Sequence, residues 1–295
     1  MNNQFEYLGK SLQGLNCQVV VAMAVYQEDR AEWVAQAIDS ILDQTYRDFI
    51  LVVVVDGPLP SAISSFLREK EQRNAQLVVL LGAENLGLSS CMNEVIDRCA
   101  DLSPKYLFRM DADDISSTER LSKQVSFFEH HPEVSVLGTS LVEINEAGVE
   151  VGGRKLPLSH QEILEFLPKR CSMNHPTVAF RYRVFEQGFR YRKELKNTQD
   201  YFLWIELMHA GYIFENLSER LLKFRRVNDF YKRRGFNKSV NEFRARWMAM
   251  NRLKRYSLSN VLYALSVLAL RIMPAKVVKL AYKLDRLILD KLVKH

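Results

Sequence analysis

The sequence predicts an open, mostly parallel α/β sheet with helices on both sides, followed by a basic helical C-terminal region. Three observations predict it. Short runs rich in Val and Leu, nearly continuous in hydrophobicity, recur between Val19 and Gly138, as strands buried on both faces require. Amphipathic stretches of helical period separate these runs. Beyond Gly138 the alternation gives way to a hairpin pattern and then to long basic helical patterns.

In order, the strands fall over 19–25, 49–55, 77–81, 106–110 and 134–137, and the helices between them over 31–42, 61–73, 88–99 and 118–130. In the first helix Trp33, Ala37, Ile38, Ile41 and Leu42 share one face. Segments 141–145 and 149–151 around Glu146-Ala147-Gly148 predict a hairpin. A strand over 178–180, a helix over 200–209 carrying Trp204, and a long basic helix over 237–256 follow. Segment 258–272 is apolar but shorter than a bilayer span. Segment 276–295 places Val277, Leu280, Leu284, Leu287 and Ile288 at helical spacing with lysines opposite.

A chain of 295 residues, 47% hydrophobic and 26% charged, suits one large globular domain or two small ones. The N-terminus lacks the pattern of a secretory signal, so a cytoplasmic location is expected. Cys17, Cys91, Cys99 and Cys171 lie far apart, as buried thiols rather than a disulfide frame or zinc site. The net charge of +6 is uneven. Residues 219–295 hold 20 Lys and Arg against 5 Asp and Glu, leaving 21 against 30 in residues 1–218. A basic tail on an acidic body calls for an anionic partner: nucleic acid, a membrane surface or a phosphorylated ligand.

Ligands of open α/β sheets bind at the carboxyl ends of the strands. Those ends carry Tyr26-Gln27-Glu28, Asp56-Gly57-Pro58, Glu84-Asn85-Leu86-Gly87 and Arg109-Met110-Asp111-Ala112-Asp113-Asp114. Two carboxylates at i and i+2 past a strand end can turn toward one point and suit Mg²⁺ or Mn²⁺. The structural alternative is a polar turn in which Asp114 or Ser116 caps the next helix. For Arg109 the choice lies between a salt bridge and contact with a ligand. For Trp204 it lies between stacking on a sugar and a place in the core.

These blocks together resemble glycosyltransferase family 2, inverting enzymes of the GT-A fold, and look most like the bacterial branch that builds surface polysaccharides. Four blocks over residues 18–226 carry the resemblance. Val19–Val25 with Tyr26 precedes Ala37-Ile38-Asp39-Ser40-Ile41-Leu42-Asp43-Gln44-Thr45-Tyr46. Val52-Val53-Val54-Val55-Asp56-Gly57-Pro58 is the second block. Glu84-Asn85-Leu86-Gly87-Leu88 leads into Arg109 to Asp114 and Glu119-Arg120-Leu121. Asn174-His175-Pro176-Thr177 and Gln199-Asp200-Tyr201-Phe202-Leu203-Trp204 complete the set. Three positions depart from the family pattern: Val55 replaces the first Asp of Asp-Asp-Gly, Gln199 replaces a Glu, and Asn228 stands where a His is common.

The resemblance implies a GT-A domain over 1–226, with a nucleotide-sugar half over 18–138 and an acceptor half over 139–226. A basic loop and C-terminal helices would occupy 227–295. It implies a nucleotide sugar, most often UDP-linked, bound by Tyr26, Glu28, Asp56, Asn85, Gly87, Arg109 and Asp111. Asp111 and Asp113, with His175 as a further candidate, would hold Mn²⁺ or Mg²⁺. Asp200 would be the general base. His175 and Trp204 would meet a glycan or polyprenyl-diphosphate-linked acceptor, and Arg226, Arg233 and Arg234 would form a lid over the diphosphate. The basic tail would lie on the anionic cytoplasmic face of the inner membrane. Two other classes are weighed. A nucleotidyltransferase also uses carboxylates at strand ends, but 24–30 lacks its Gly-rich basic loop. A nucleic-acid-binding protein would suit the basic tail, but no recognised module is present.

Overall fold

The computed structural model describes residues 4–227 and 236–270, with the side chains of 236–238 and 270 left aside. The chain runs β1 (Phe5–Tyr7), β2 (Val19–Val25), α1 (Ala31–Leu42), β3 (Phe49–Val55), α2 (Ser61–Arg73), β4 (Leu77–Gly82), α3 (Leu88–Arg98) and β5 (Tyr106–Asp111). It continues through β6 (Ile115–Ser116), α4 (Arg120–His130), β7 (Val134–Ile144), β8 (Glu150–Arg154), α5 (His160–Phe166), β9 (Ala179–Arg181) and α6 (Arg183–Glu186). The last elements are α7 (Gln199–His209), β10 (Ile213–Arg225), α8 (Phe236–Arg252) and α9 (Leu258–Leu270).

These strands form one ten-stranded sheet in the order β1-β4-β3-β2-β5-β9-β7-β10-β6, with β8 paired to β7. β4, β3, β2 and β5 are parallel neighbours, and β9 enters antiparallel between β5 and β7. The mostly parallel sheet matches the expected fold class. Strand side chains alternate between its faces. Val20, Ala22, Val52, Val54, Val78 and Leu80 pack toward α3 and α7. Val19, Val21, Met23, Leu51, Val53 and Val79 pack toward α1, α2 and α4. Burial on both faces is why these runs carry almost no polar residue.

Helices α1 and α2 begin and end where the periodicity places them; α3, α4 and α7 differ by one or two residues at one end, and α8 stops at Arg252, four residues before the expected Tyr256. Gly138 does not end its strand. β7 runs through it to Ile144 and turns at the expected Glu146-Ala147-Gly148 into β8. A Cβ at Gly138 would lie 2.1 Å from Asn216 Oδ1, so the glycine admits the Asn216 side chain from β10. The short β1 and β6, the helices α5 and α6, and the long β10 went unassigned in the sequence pattern. β10 has no Val-rich run, and its alternation breaks into the exposed stretch 218–220 followed by the buried pair Leu221 and Leu222.

The C-terminal region does not begin as a separate body. Ala245 and Ala249 of α8 are buried in the same core as α7, and Arg246 Nε donates to the Lys169 carbonyl at 2.9 Å. Among the described residues no helix is long and apolar enough to cross a membrane.

Candidate active site

Register places the functional residues side by side. Ala24 pairs with Asp111, Val25 with Val55, and Val55 with Leu81, so β2, β3, β4 and β5 end in one row. Tyr26, Asp56, Asn85 and Asp111 therefore line one edge. Arg109 and Asp111 share the parity of Leu107, whose face of the sheet is covered by α3 and α7.

Past β5, one carboxylate oxygen from each of Asp111, Asp113 and Asp114 lies within 4.8 Å of the others. Burial, then the neighbouring Asp111 charge, pushes the Asp113 carboxyl up to about 6. Asp114 is fully buried and is pushed well above the usual carboxylate range, by burial and then by Asp111 and Asp113. Concentrated hard oxygen donors of like charge fit a divalent cation. Asp111 and Asp113 are the two members partly open to the edge.

Asp114 does not cap the next helix. The N-cap of α4 is Glu119, without a side-chain cap bond. Asp114 Oδ1 instead accepts the Arg225 backbone N–H at 2.8 Å. The Arg225 side chain donates to the Asp113 carbonyl at 2.9 Å, the Glu146 carbonyl at 3.1 Å and Gln36 Oε1 at 2.7 Å, and its guanidinium lies over Trp33. One buried arginine thus ties β10, the acidic turn, the β7–β8 hairpin and α1 together. From the other side, Gln44 donates to the Ser117 carbonyl at 2.6 Å and accepts the Leu121 N–H at 3.0 Å, while Ser40 Oγ accepts the Ser116 N–H. The Ser40 and Gln44-Thr45 portion of the first sequence block is therefore a brace for the acidic turn.

Past the ends of β3 and β4, the buried Asp56 carboxylate accepts the N–H groups of Leu86 at 2.7 Å and Gly87 at 3.0 Å, and Asn85 Nδ2 donates to the Asp56 carbonyl at 3.3 Å. Gly57 and Gly87 adopt φ of +87° and +85°. At Gly57 a Cβ would stand 2.8 Å from the Asn85 nitrogen, so only glycine admits the loop there. Tyr26 Oη donates to Glu28 Oε2 at 3.2 Å.

Facing the acidic turn, Arg109 is buried, pairs with Asp111, and leaves Nε without a hydrogen-bond partner. His175 belongs to a turn fixed by its neighbours: Asn174 Nδ2 donates to the Thr139 carbonyl of β7, and Thr177 Oγ1 donates to the Asn174 carbonyl within the turn. The imidazole Nε2 lies 3.0 Å from Tyr191 Oη. Burial, then the Arg109 charge, holds His175 well below its ordinary pKa and hence neutral at pH 7. Tyr191 is clamped by Asn93, whose Oδ1 accepts its N–H at 2.9 Å and whose Nδ2 donates to its carbonyl at 2.8 Å. Burial raises the Tyr191 phenol, the Arg109 charge lowers it, and the Asp200 and Asp111 charges raise it further. Asp200 is partly exposed in the first turn of α7, two residues after Thr198, which sits in the left-handed region at φ 61°.

Three expected site residues do not reach the positions assigned to them. Trp204 is fully buried against Phe180, Phe214 and His175, so no face remains to stack on an acceptor sugar. His175 stands outside the carboxylate cluster, bonded to Tyr191. Arg226 is not a lid residue: its side chain pairs with the buried Glu143 at 3.3 Å and its N–H bonds the Ile144 carbonyl, so it is fixed at the end of β10. Arg233 and Arg234 lie outside the described residues. Sequence reasoning missed Asn93, Tyr191 and Arg225 as site residues. Only Arg225 carried a signal, as the neighbour of the expected lid residue Arg226, and nothing marked its burial.

The profile of Glycosyl transferase family 2 matches residues 20–189. Amylovoran biosynthesis glycosyltransferase AmsE of Erwinia amylovora is 32% identical over 267 residues, covering 90% of this chain and 98% of its own. An Escherichia coli UDP-Gal:alpha-D-GlcNAc-diphosphoundecaprenol beta-1,3-galactosyltransferase is 28% identical over 232 residues, 77% of this chain and 81% of its own. S. aureus TarS 1–349, solved with UDP-GlcNAc, superposes with a TM-score of 0.59 at 15% identity, covering 88% of this chain and 82% of that one, a likeness of fold. The chain belongs to glycosyl transferase family 2.

Proposed function

We propose that this family 2 enzyme is an inverting, metal-dependent hexosyltransferase of bacterial surface-polysaccharide or O-antigen assembly. It moves a sugar from a UDP-linked donor to a hydroxyl of a glycan or lipid-diphosphate-linked glycan. The observation that carries the reading is the cluster of Asp111, Asp113 and Asp114 carboxylates at the carboxyl end of β5, in one row with Tyr26, Asp56 and Asn85. A UDP-linked donor and a lipid-diphosphate acceptor are the substrates in the name of the E. coli relative.

Residues 18–138 form the donor half. The nucleotide lies along Tyr26, Glu28, Asp56 and the Asn85-Leu86-Gly87 turn, which Asp56 holds in place. Asp113 and Asp111 would hold Mn²⁺ or Mg²⁺, which when bound neutralises the charge developing on the leaving diphosphate. Arg109 orients Asp111 through its ion pair. Residues 139–226 form the acceptor half, where neutral His175 and Tyr191 give a polar wall. Asp200 takes the proton from the acceptor hydroxyl as its oxygen bonds the anomeric carbon. The bond from that carbon to the diphosphate oxygen breaks, the nucleoside diphosphate departs, and single displacement inverts the configuration. The basic residues beyond 227 hold the enzyme at the anionic cytoplasmic face of the inner membrane, where a lipid-linked acceptor resides.

A thermal-shift panel of UDP-, GDP- and dTDP-sugars, each with and without Mn²⁺, tests the donor. Transfer of the stabilising sugar to a short-chain alkyl-diphosphate glycan, with the new linkage read by NMR, tests the rest. Stabilisation by a UDP-sugar only with metal, and an inverted product, are expected. A retained configuration, or equal stabilisation with and without Mn²⁺, would overturn the reading.

A further inference from the structure

Five of the eight large hydrophobic side chains exposed among the described residues lie on α8, α9 and the connection between them: Trp247, Tyr256, Leu258, Leu262 and Leu265. The three leucines follow the spacing i, i+4, i+7, so they form one stripe along α9, and they are 77%, 56% and 47% exposed. The other side of the helix is anchored, with Asn260 and Ala264 buried. Trp247 and Tyr256 meet edge to face at 5.9 Å beside the stripe. Arg244 and Arg252 of α8 and Lys254 of the connection are exposed as well. No Asp or Glu occurs between Phe243 and Lys283. An apolar stripe, an aromatic pair and cations without a carboxylate is the composition of a face that enters an anionic lipid interface. The apolar run that begins at Leu258 is broken by Arg271, too short a run to span a bilayer, so the stripe lies in the plane of the surface.

The geometry points to this α8–α9 face as the surface that seats the enzyme on an anionic phospholipid membrane. Leu258, Leu262 and Leu265 enter the acyl boundary, Trp247 and Tyr256 lie at the headgroups, and Arg244, Arg252 and Lys254 meet the phosphates. α8 also contacts the acceptor side directly, since Asn241 Nδ2 lies 3.3 Å from Asn197 Oδ1, three residues before Asp200. The inference rests on the reading of a lipid-linked acceptor and deepens it by naming the seat.

The test uses the full chain and vesicles of phosphatidylcholine with or without an equal part of phosphatidylglycerol. The wild type is expected to float with the anionic vesicles and to shift its tryptophan emission to the blue, because Trp33 and Trp204 are buried and Trp247 is exposed. The variant Leu258→Ser/Leu262→Ser/Leu265→Ser should lose roughly tenfold or more in vesicle affinity and lose the shift, given the apolar area withdrawn from the interface. Its transfer to a water-soluble short-chain acceptor should be unchanged, and its transfer to acceptor embedded in vesicles should fall. Vesicle binding alike in variant and wild type overturns the inference. So does binding lost in Lys276→Gln/Lys279→Gln/Lys283→Gln but kept in the leucine variant, which assigns the seat to the tail. Self-association abolished by the leucine substitutions, with vesicle binding intact, overturns it in favour of a second copy of the chain. Failure of transfer to every lipid-diphosphate acceptor, with vesicle binding intact, would overturn the functional reading and leave the seat standing.

Discussion

The backbone N–H of Arg225 donates to the Asp114 carboxylate across 111 positions of sequence, at 2.8 Å, while the Arg225 side chain holds the carbonyl of the adjacent Asp113. The last residue of β10 therefore sets the shape of the acidic turn after β5.

Replacing Arg225 by Met should loosen that turn. The Asp113 and Glu146 carbonyls and Gln36 would lose a buried donor, at about 1–3 kcal/mol for each acceptor left unpaired. A net loss of about 3–5 kcal/mol is expected from breaking a buried charged network. Urea unfolding measures it. Asp114→Asn keeps an oxygen for the Arg225 N–H and removes one of three crowded carboxylates, so its cost should stay below about 1 kcal/mol. Equal losses in the two variants would contradict the arrangement.

Asp200→Asn should separate binding from chemistry. Loss of the proton acceptor lowers kcat about 10²–10⁴-fold, while Mn²⁺-dependent stabilisation by donor is unchanged. Asp113→Asn should do the reverse first, abolishing the metal-dependent part of that stabilisation. Wild-type turnover in the Asp200 variant would remove it from the role of base.

The acidic turn should make metal binding pH-dependent. The Asp113 carboxyl, ordinarily at 3.8, is pushed up to about 6 by burial and the Asp111 charge. Between those values the folded chain holds a proton that the unfolded chain releases. Its contribution to stability is thus full below about pH 4 and lost as pH rises through about 6. A divalent ion binds the deprotonated form, so its stabilising effect should grow over the same window. Melting midpoints at pH 5 and 7.5, with and without Mn²⁺, should show the larger increment at 7.5. Equal increments would count against Asp113 as a ligand.

Tyr191→Phe removes the partner of His175 and leaves the Asn93 clamp on the backbone. A stability loss of about 0.5–1.5 kcal/mol is expected. If Tyr191 orients the acceptor side, acceptor KM should rise while donor binding holds. A fall in donor binding instead would place Tyr191 on the other half of the site.

Much of this protein was legible in its sequence because the signals were local. The Val-rich runs of β2, β3 and β4, the apolar faces of α1 and α2, and the carboxylates past β5 follow from period, burial and strand-end chemistry within short windows. The sequence also carried the family resemblance, through the order of its blocks, and with it the expectation that Asp200 is the general base. What it could not supply were choices made between residues distant in the chain. A tryptophan in an apolar helix reads alike whether it faces a sugar or Phe180 and Phe214; packing put Trp204 in the core. Asp114 satisfies the local pattern of a cap, yet β10 offered its carboxylate a buried N–H, and that long-range bond won. Arg226 looked like a free cation until Glu143, on the neighbouring strand β7, took it. Local periodicity determined which elements form; the partners of buried polar groups were decided only when the sheet brought distant strands side by side, because a buried charge must find its counterpart wherever the fold places one.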